Sequence, residues 1–239
     1  MIKIDYACGT HPGLARERNE DAYFADPKLG LWLIADGMGG HQAGEVASGI
    51  VVQEVSRAVR QGESLADAID RAHMMVQMAS EQVQGTKQMG STVVALKMEG
   101  THYQIAWVGD SRAYLWNGFE LRQLTKDHTY VQLLLDFGMI MEDELFTHPS
   151  RNVICQGLGV GGGVGDSVKV DEVEGRLAVG DTLLLCSDGL TGEVRDYLIS
   201  EVMAAGLDNE ERLAQLIEAA LAFGGSDNIT IILVTPVRV

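Results

Sequence analysis

The sequence predicts an α+β fold in which antiparallel sheets are covered by helices. Apolar, strand-like runs come in consecutive hairpins, and helical patterns stand between these groups of strands. Strict alternation of one strand with one helix is absent, which argues against a parallel, doubly wound sheet. With 239 residues, of which 46% are hydrophobic and 22% charged, the chain has the composition of a globular protein of one or at most two domains.

Four segments carry apolar residues at helical spacing. The second has Ser64 as its cap, and the last has the capping pair Asp208 and Glu211 before it and Gly224-Gly225 after it. The predicted helices cover residues 43–59, 65–83, 130–137 and 213–221.

The strands are apolar runs bounded by turn residues. Glu99-Gly100-Thr101 and Asn117-Gly118 are predicted hairpin loops, because glycine after a short polar residue is typical of tight turns. Residues 139–166 are irregular and then rich in glycine, which predicts a flexible insertion over one face. The predicted strands cover residues 31–35, 92–98, 103–108, 113–116, 119–124, 182–186 and 229–234.

The charge balance of 18 basic against 34 acidic residues gives a net charge of −16. Such a surface repels nucleic acid and anionic membranes. No apolar run is long enough for a membrane-spanning helix, and the N-terminus has no long apolar region typical of a secretory signal. Cys8, Cys155 and Cys186 fit no zinc motif, so reduced thiols and a cytoplasmic location are expected.

Four aspartates stand at the ends of predicted strands: Asp36, Asp110, Asp188 and Asp227. Antiparallel neighbours can bring all four strand ends to one edge of the core. A single Asp-Gly pair after a strand is usually only a turn, but four equivalent positions favour a site. Carboxylates gathered away from water repel one another, so either their pKa values rise or a cation holds them.

An all-oxygen set of ligands suits Mg²⁺ or Mn²⁺, and such ions usually serve phosphate chemistry. The segment 16–21 adds two arginines and further acids, and an arginine can bind a phosphate in bidentate fashion.

The sequence lacks the motifs of other catalytic and nucleotide-binding sites. The sixth position after each cysteine holds Leu14, Gly161 or Gly192, so there is no Cys-x5-Arg phosphatase loop. There is no Gly-Lys dipeptide and no Gly-x-Ser-x-Gly elbow, and the Gly-x-Gly-x-x-Gly match at 157–162 precedes no helical pattern.

Seven blocks in order along the chain resemble bacterial type 2C protein phosphatases, which are metal-dependent Ser/Thr phosphatases. Any one block is a weak signal, but together they are specific and cover nearly the whole chain. The blocks are residues 13–21, 35–41, 89–92, 108–112, 124–129, 186–190 and 225–230.

The resemblance implies a four-layer α/β/β/α sandwich formed by a single domain over 1–239, with a flap at about 139–166. It implies two Mn²⁺ or Mg²⁺ ions and a third, weaker one. Arg16 matches the phosphate-gripping arginine, and His41 stands near the position of a proposed general acid. The implied metal ligands are Asp36 as the bridge, the carbonyl of Gly37, Asp188 and Asp227 for the first ion, Glu20 and Asp21 for the second, and Asp110 with Asp188 for the third.

The function implied is direct hydrolysis of phosphoserine or phosphothreonine by a water that bridges two ions. The expected partners are phosphoproteins, including a Ser/Thr kinase and its targets, and the expected state is a monomer that binds neither nucleic acid nor membrane. Two alternatives stay open. One is a different two-metal phosphoesterase, and the other is a non-catalytic pseudophosphatase that only binds phosphoproteins.

Overall fold

A computed structural model describes residues 2–39, 42–82, 89–161 and 165–238. The strands in these ranges are β1 (Ile2–His11), β2 (Asp21–Asp26), β3 (Leu31–Met38), β4 (Gly90–Ser91), β5 (Val93–Glu99), β6 (His102–Val108), β7 (Arg112–Trp116), β8 (Leu121–Gln123), β9 (Asp171–Arg176), β10 (Thr182–Cys186) and β11 (Ile229–Arg238). The helices are α1 (Ala43–Arg60), α2 (Leu65–Gln82), α3 (Tyr130–Asp136), α4 (Asp188–Thr191), α5 (Asp196–Ala204) and α6 (Asn209–Phe223).

The strands form two antiparallel sheets. One has the order β1-β11-β10-β7-β8, and the other has the order β2-β3-β5-β6-β9 with β4 paired to β3. Three of the strand pairs are hairpins, β2–β3, β5–β6 and β7–β8, and the other pairs join strands that are separated by helices or by long stretches of chain.

Three apolar clusters separate four layers. One cluster, with Trp32, Ile105 and Leu183, lies between the two sheets. A second joins α1 and α2 to the sheet that contains β3, and a third joins α4, α5 and α6 to the sheet that contains β11. The α/β/β/α sandwich and the α+β class are therefore confirmed. None of the helices in the described ranges has both the length and the apolar content that crossing a membrane requires.

The predicted helices and their caps are confirmed wherever the structure describes them. Ser64 Oγ accepts from the N–H of Asp67 at 3.1 Å at the start of α2. Asp208 and Glu211 form a reciprocal capping box on α6, and Gly224 ends that helix with a φ of 150°. The end of the predicted second helix, residue 83, lies outside the described residues.

Both predicted hairpin loops needed correction. Glu99 pairs with His102, so the β5–β6 loop is only Gly100-Thr101. The β7–β8 loop has four residues because Trp116 pairs with Leu121. The Asn117 side chain accepts from the N–H groups of two following residues there. The predicted strand start at Phe119 was wrong, since that residue lies in the loop and is 94% exposed.

The strands that the sequence analysis missed are β1, β2, β4 and β9. Of these, β1, β2 and β9 are edge strands, and β4 has only two residues. β9 buries little on either face, and β2 begins inside the acidic segment. Their weak apolar patterns are typical of edges, where one side faces water.

The described part of the glycine-rich end of the predicted insertion packs on the core, while residues 162–164 lie outside the described residues, so the predicted flexibility stays a prediction. We call residues 157–161 and 165–168 the glycine segment. Leu158 is fully buried in the cluster beneath α1 and α2, and it exchanges two main-chain hydrogen bonds with Ser91. Residues 139–156 are largely irregular, with one short 3-10 turn at Glu142–Glu144. The three cysteines are free thiols, and Cys186 is buried.

Candidate active site

Aspartates from both sheets meet at one end of the sandwich. Asp21 and Asp36 are directly opposite each other in the β2–β3 pairing. Asp110 follows β6, while the second sheet supplies one aspartate at the end of β10 and one just before β11. We call this set the acid cluster: Asp21, Asp36, Asp110, Asp188 and Asp227. Antiparallel pairing within each sheet and the packing of one sheet on the other thus gather side chains that are up to 206 positions apart in the chain.

The electrostatics of the acid cluster are those of carboxylates crowded away from water. Burial raises the pKa of Asp36 well above its usual value, and the other four aspartates of the cluster raise it further. Burial raises the pKa of Asp110 as well, followed by the effect of Asp188. The pKa of Asp21 rises to about 7 and that of Asp188 to about 6, in both cases mainly through burial. The cluster therefore favours a bound proton or a bound cation.

The donor atoms fit a hard divalent cation. One carboxylate oxygen each of Asp21, Asp110 and Asp188 is buried with no hydrogen-bond partner in the described residues. Buried polar atoms are nearly always satisfied, so three orphaned oxygens at one place point to a ligand. Oxygen-only coordination is what Mg²⁺ and Mn²⁺ prefer.

Two carboxylates of the acid cluster, those of Asp21 and Asp227, accept hydrogen bonds from protein side chains. Asp21 Oδ2 accepts from Ser187 Oγ at 2.8 Å and from Thr230 Oγ1 at 2.6 Å. Asp227 Oδ2 accepts from an Arg16 Nη2 at 2.7 Å. Within the described part of the chain, no three acidic, histidine or cysteine side chains already converge as a metal-binding group. The acid cluster nevertheless offers oxygen donors of the kind that a hard cation prefers.

The main chain at Asp36 is fixed by the last residue of β4, Ser91, and by the residue after it, Thr92. Ser91 Oγ donates to the Asp36 carbonyl at 3.0 Å, and the Thr92 N–H donates to the same carbonyl at 2.8 Å. Thr92 Oγ1 accepts from the Asp36 N–H at 3.1 Å. The block 89–92, which the sequence analysis quoted without a role, therefore positions Asp36.

Gly37 sits where no side chain fits. A Cβ there would lie 2.1 Å from the Gly44 carbonyl oxygen and 2.6 Å from the Glu20 carbonyl oxygen. The Gly37 N–H donates to that Glu20 carbonyl at 3.2 Å. The glycine thus lets the end of β3 pass between the start of α1 and the loop that joins β1 to β2, residues 12–20, which we call the acidic loop.

Asn228 fastens the acidic loop to the start of β11. Its Oδ1 accepts from the Glu20 N–H at 2.7 Å, and its Nδ2 donates to the carbonyls of Pro12 and Arg18 at 2.9 Å. Burial raises the pKa of Glu20, whose carboxylate lies against Gly44. The sequence analysis considered Asp227 and Asp188 as possible metal ligands. It gave no role to their neighbours Asn228 and Ser187, which were therefore missed.

Arg16 lies at the rim of the acid cluster. Its side chain is 54% exposed and forms an ion pair with Asp227 at 2.7 Å. An exposed guanidinium next to a cation site is suited to hold an incoming anion. His41 and its neighbour Gly40 lie outside the described residues, so the prediction for His41 stays a prediction.

A cavity of about 650 Å³ opens beside Asp110 and Asp188. One wall is the irregular segment from Met141 to Asn152, and the other runs from Thr191 to Tyr197. The cavity is large enough for several residues of an extended peptide.

Comparisons with known proteins agree with this geometry. The family model described as protein phosphatase 2C matches residues 8–231. The serine/threonine phosphatase stp of Listeria monocytogenes serotype 4b is 37% identical over 238 residues, which cover 94% of this chain and 93% of that protein. The solved structure of the Mycobacterium tuberculosis serine/threonine phosphatase PstP/Ppp superposes with a TM-score of 0.89 at 35% identity, with all of both chains covered.

A further solved structure is the catalytic domain of PstP in complex with two manganese ions. It has a TM-score of 0.88 and 33% identity, again with complete coverage of both chains. Together with the shared architecture, these matches show that the chain belongs to the protein phosphatase 2C family.

Proposed function

We propose that the chain is a metal-dependent protein phosphatase that hydrolyses phosphoserine and phosphothreonine directly, without a phosphoenzyme. The observation that carries the proposal is the acid cluster, where three buried carboxylate oxygens from both sheets have no partner in the described residues. Membership of the protein phosphatase 2C family supports the same chemistry. Two relatives are named as serine/threonine phosphatases, and one was solved with two manganese ions.

The proposed ligands of the ions are the residues that the resemblance implied. Asp36 would be shared by two ions, and the carbonyl of Gly37 would be a further ligand. Asp188 and Asp227 would hold the first ion, and Glu20 and Asp21 would hold the second. Asp110 with Asp188 would hold a third ion. When bound, Mn²⁺ or Mg²⁺ supplies charge neutralisation at the phosphoryl oxygens and lowers the pKa of a coordinated water.

The protein's own residues bind and orient the substrate. Arg16 exchanges its ion pair with Asp227 for two hydrogen bonds to the phosphoryl group, which its exposed position allows. Ser187 and Thr230 fix one oxygen of Asp21, so its other oxygen stays directed at the cluster. The phosphorylated segment would lie in the cavity beside Asp110 and Asp188. His41 is the proposed proton donor to the leaving alkoxide.

The proposal also covers the physiological substrates, the cellular location, the oligomeric state and the flap. The physiological substrates would be a bacterial Ser/Thr kinase and its targets, and the protein would act in cytoplasmic signalling as a monomer of one domain, with residues 139–166 as its flap. The net charge of −16 argues against a nucleic-acid substrate.

The test is an assay of the purified chain with a phosphothreonine peptide, a phosphoserine peptide, single-stranded DNA and bis-(p-nitrophenyl) phosphate. We expect release of phosphate from both peptides in Mn²⁺, and none in excess EDTA. Asp188→Asn should lose the activity, and Glu218→Gln, on the exposed face of α6, is the matched control that should keep it.

Two outcomes would replace the proposal. Preferential hydrolysis of DNA or of the diester would favour a different two-metal phosphoesterase. No turnover of any substrate, combined with micromolar binding of a phosphopeptide, would favour a pseudophosphatase.

A further inference from the structure

One face of helix α2 carries three polar side chains that the proposed chemistry does not use: Asp70, His73 and Gln77. Their spacing of three and four residues places them on one side of the helix. Asp70 Oδ1 accepts from the Val168 N–H at 3.0 Å. Gln77 donates to the Gly161 carbonyl at 3.3 Å and accepts from the Gly165 N–H at 3.4 Å. This face of α2 therefore binds the main chain of the glycine segment.

His73 is the central member of this set. It is 3% exposed, and its Nδ1 accepts from the Gly159 N–H at 3.1 Å. The ring also donates a hydrogen bond to the Asp166 carbonyl. Since Nδ1 is an acceptor, the ring is neutral and its proton is on Nε2. One imidazole thus connects two separate parts of the glycine segment to the helix.

The glycine segment lies directly on α2 at this point. Gly159 has a φ of +76°, and a Cβ there would lie 2.3 Å from a methyl group of Val76. A Cβ on Gly157 would lie 2.7 Å from the end of the Met38 side chain. The glycines therefore allow a main-chain approach that side chains would block, and this close approach places Gly159 within reach of His73.

The segment is in turn connected to the acid cluster. The Leu158 N–H donates to the Ser91 carbonyl at 2.7 Å, and the Ser91 N–H donates to the Leu158 carbonyl at 3.0 Å. Ser91 Oγ donates to the carbonyl of Asp36 at 3.0 Å. A continuous set of hydrogen bonds thus runs from α2 through the glycine segment to the main chain of Asp36.

We propose that His73 is a positioning residue for the acid cluster. Its neutral imidazole holds the glycine segment on α2, and the segment, through Ser91, fixes the main chain of Asp36. The effect on catalysis rests on the proposed function, whereas the contact with the segment is a property of the metal-free chain.

The contact depends on pH, because a protonated imidazole has no acceptor for the Gly159 N–H. The charged groups that act on the ring are Asp70, on the same helix, and Asp166, on the segment packed against it. Burial outweighs both and lowers the pKa of His73 below the ordinary 6.5. Because the folded state favours the neutral ring, the contact contributes its full stability above pH 6.5, the ordinary histidine pKa. That contribution to stability is lost as the pH falls towards and through the lower pKa of the folded state.

The direct test is hydrogen–deuterium exchange on the metal-free chain at pH 7.5, analysed as protection factors. His73→Leu removes both hydrogen bonds and should lower the protection of residues 157–161 and 165–168 about tenfold, with β10 and β11 unchanged. His73→Gln offers one acceptor and one donor without titrating, so it should restore most of the protection and abolish its loss at pH 5.5. His102→Gln, on β6 and 3.8 Å from Glu174, is the matched control and should change nothing.

The second readout is the Mn²⁺ concentration that gives half-maximal phosphatase activity. We expect it to rise about fivefold in His73→Leu and less than twofold in His73→Gln, with the KM for phosphopeptide unchanged. Unaltered protection of the glycine segment in His73→Leu would overturn the proposal. A loss of protection in that segment with no change in the Mn²⁺ concentration for half-maximal activity would overturn it as well. If the wild-type chain is inactive in every assay, the proposed function fails, and the exchange data alone decide the role of His73.

Discussion

Asp110 and Arg112 are two positions apart in the chain but belong to two different clusters of buried charge. The two clusters differ in whether their charged groups are paired. In the acid cluster only Asp227, at the rim, has a basic partner, which is Arg16. The four deeper aspartates form no ion pair within the described residues, and three of their oxygens lack hydrogen-bond partners there. The neighbouring Arg112 is bonded to both oxygens of Asp127, at 2.7 to 3.0 Å, and to the Tyr114 hydroxyl at 2.9 Å. Tyr114 in turn donates to Asp196 at 3.1 Å.

The difference separates a structural cluster from a functional one. A buried ion pair whose hydrogen bonds are all made needs no further ligand. A group of buried carboxylates without a counter-charge is unstable by itself, and it persists where a cation or a proton completes it. The predictions below follow from this contrast.

The largest effect is expected for Asp36→Asn. Asp36 interacts with all four other aspartates of the acid cluster, so its loss should reduce Mn²⁺-dependent turnover about a thousandfold, or ~4 kcal/mol of transition-state stabilisation. The same change removes a repelling charge, so the melting temperature in EDTA should rise by a few degrees. Assays with a phosphopeptide and thermal melts measure both effects. Normal turnover, or a lower melting temperature in EDTA, would contradict the contrast.

The pH dependence of stability gives the next effect. In the metal-free chain the pKa of Asp21 is about 7 and that of Asp188 about 6, both above the unfolded value of 3.8. A raised folded-state pKa stabilises the fold at low pH, and this contribution is lost as pH rises through 6 to 7. The free energy of unfolding in EDTA should therefore fall by about 4 kcal/mol between pH 5 and pH 8. Saturating Mn²⁺ should abolish the fall, and an identical pH profile with and without the ion would be evidence against cation binding here.

Asp127→Asn tests the paired cluster. It leaves Arg112 without its partner, and because the two side chains are only 11% and 23% exposed, we expect a loss of about 2 to 3 kcal/mol in the free energy of unfolding. Urea denaturation measures it, with or without Mn²⁺. Asp196→Asn, whose side chain is 53% exposed, is the control and should cost less than about 1 kcal/mol. A stabilised Asp127→Asn chain would show that the two clusters do not differ in the way described.

The smallest effect is expected for Arg16→Ala, at the rim. Loss of one exposed, bidentate phosphate contact should raise the KM for phosphopeptide about tenfold and change turnover less. Arg18→Ala is the matched control, because Arg18 is also exposed and lies 3.9 Å from Glu45. Equal KM values for both variants would remove Arg16 from substrate binding.

The sequence predicted the parts of the molecule that have strong local patterns. The apolar periodicity of α1, α2 and α6, together with the caps of α2 and α6, fixes those helices locally. The strand-end positions of Asp36, Asp110, Asp188 and Asp227 anticipated the edge where they meet.

The hydrogen bonds between residues that are distant in sequence could not be predicted from the sequence. The bonds from Asn228 to the acidic loop and from Ser91 to Asp36 join positions 55 to 216 residues apart, and no local pattern reports them. The sequence analysis also did not predict that the described part of the glycine-rich end of 139–166 packs on α2. Composition alone does not show that α2 supplies hydrogen-bond partners for that main chain.

The most direct test of the account is titration calorimetry of the EDTA-treated, dialysed chain with MnCl₂ at pH 7.5. At least two ions should bind per chain, with release of protons from the acid cluster, and this binding should be lost in Asp36→Asn. Stoichiometric binding that survives in Asp36→Asn, or no binding to the wild-type chain at millimolar Mn²⁺, would contradict it.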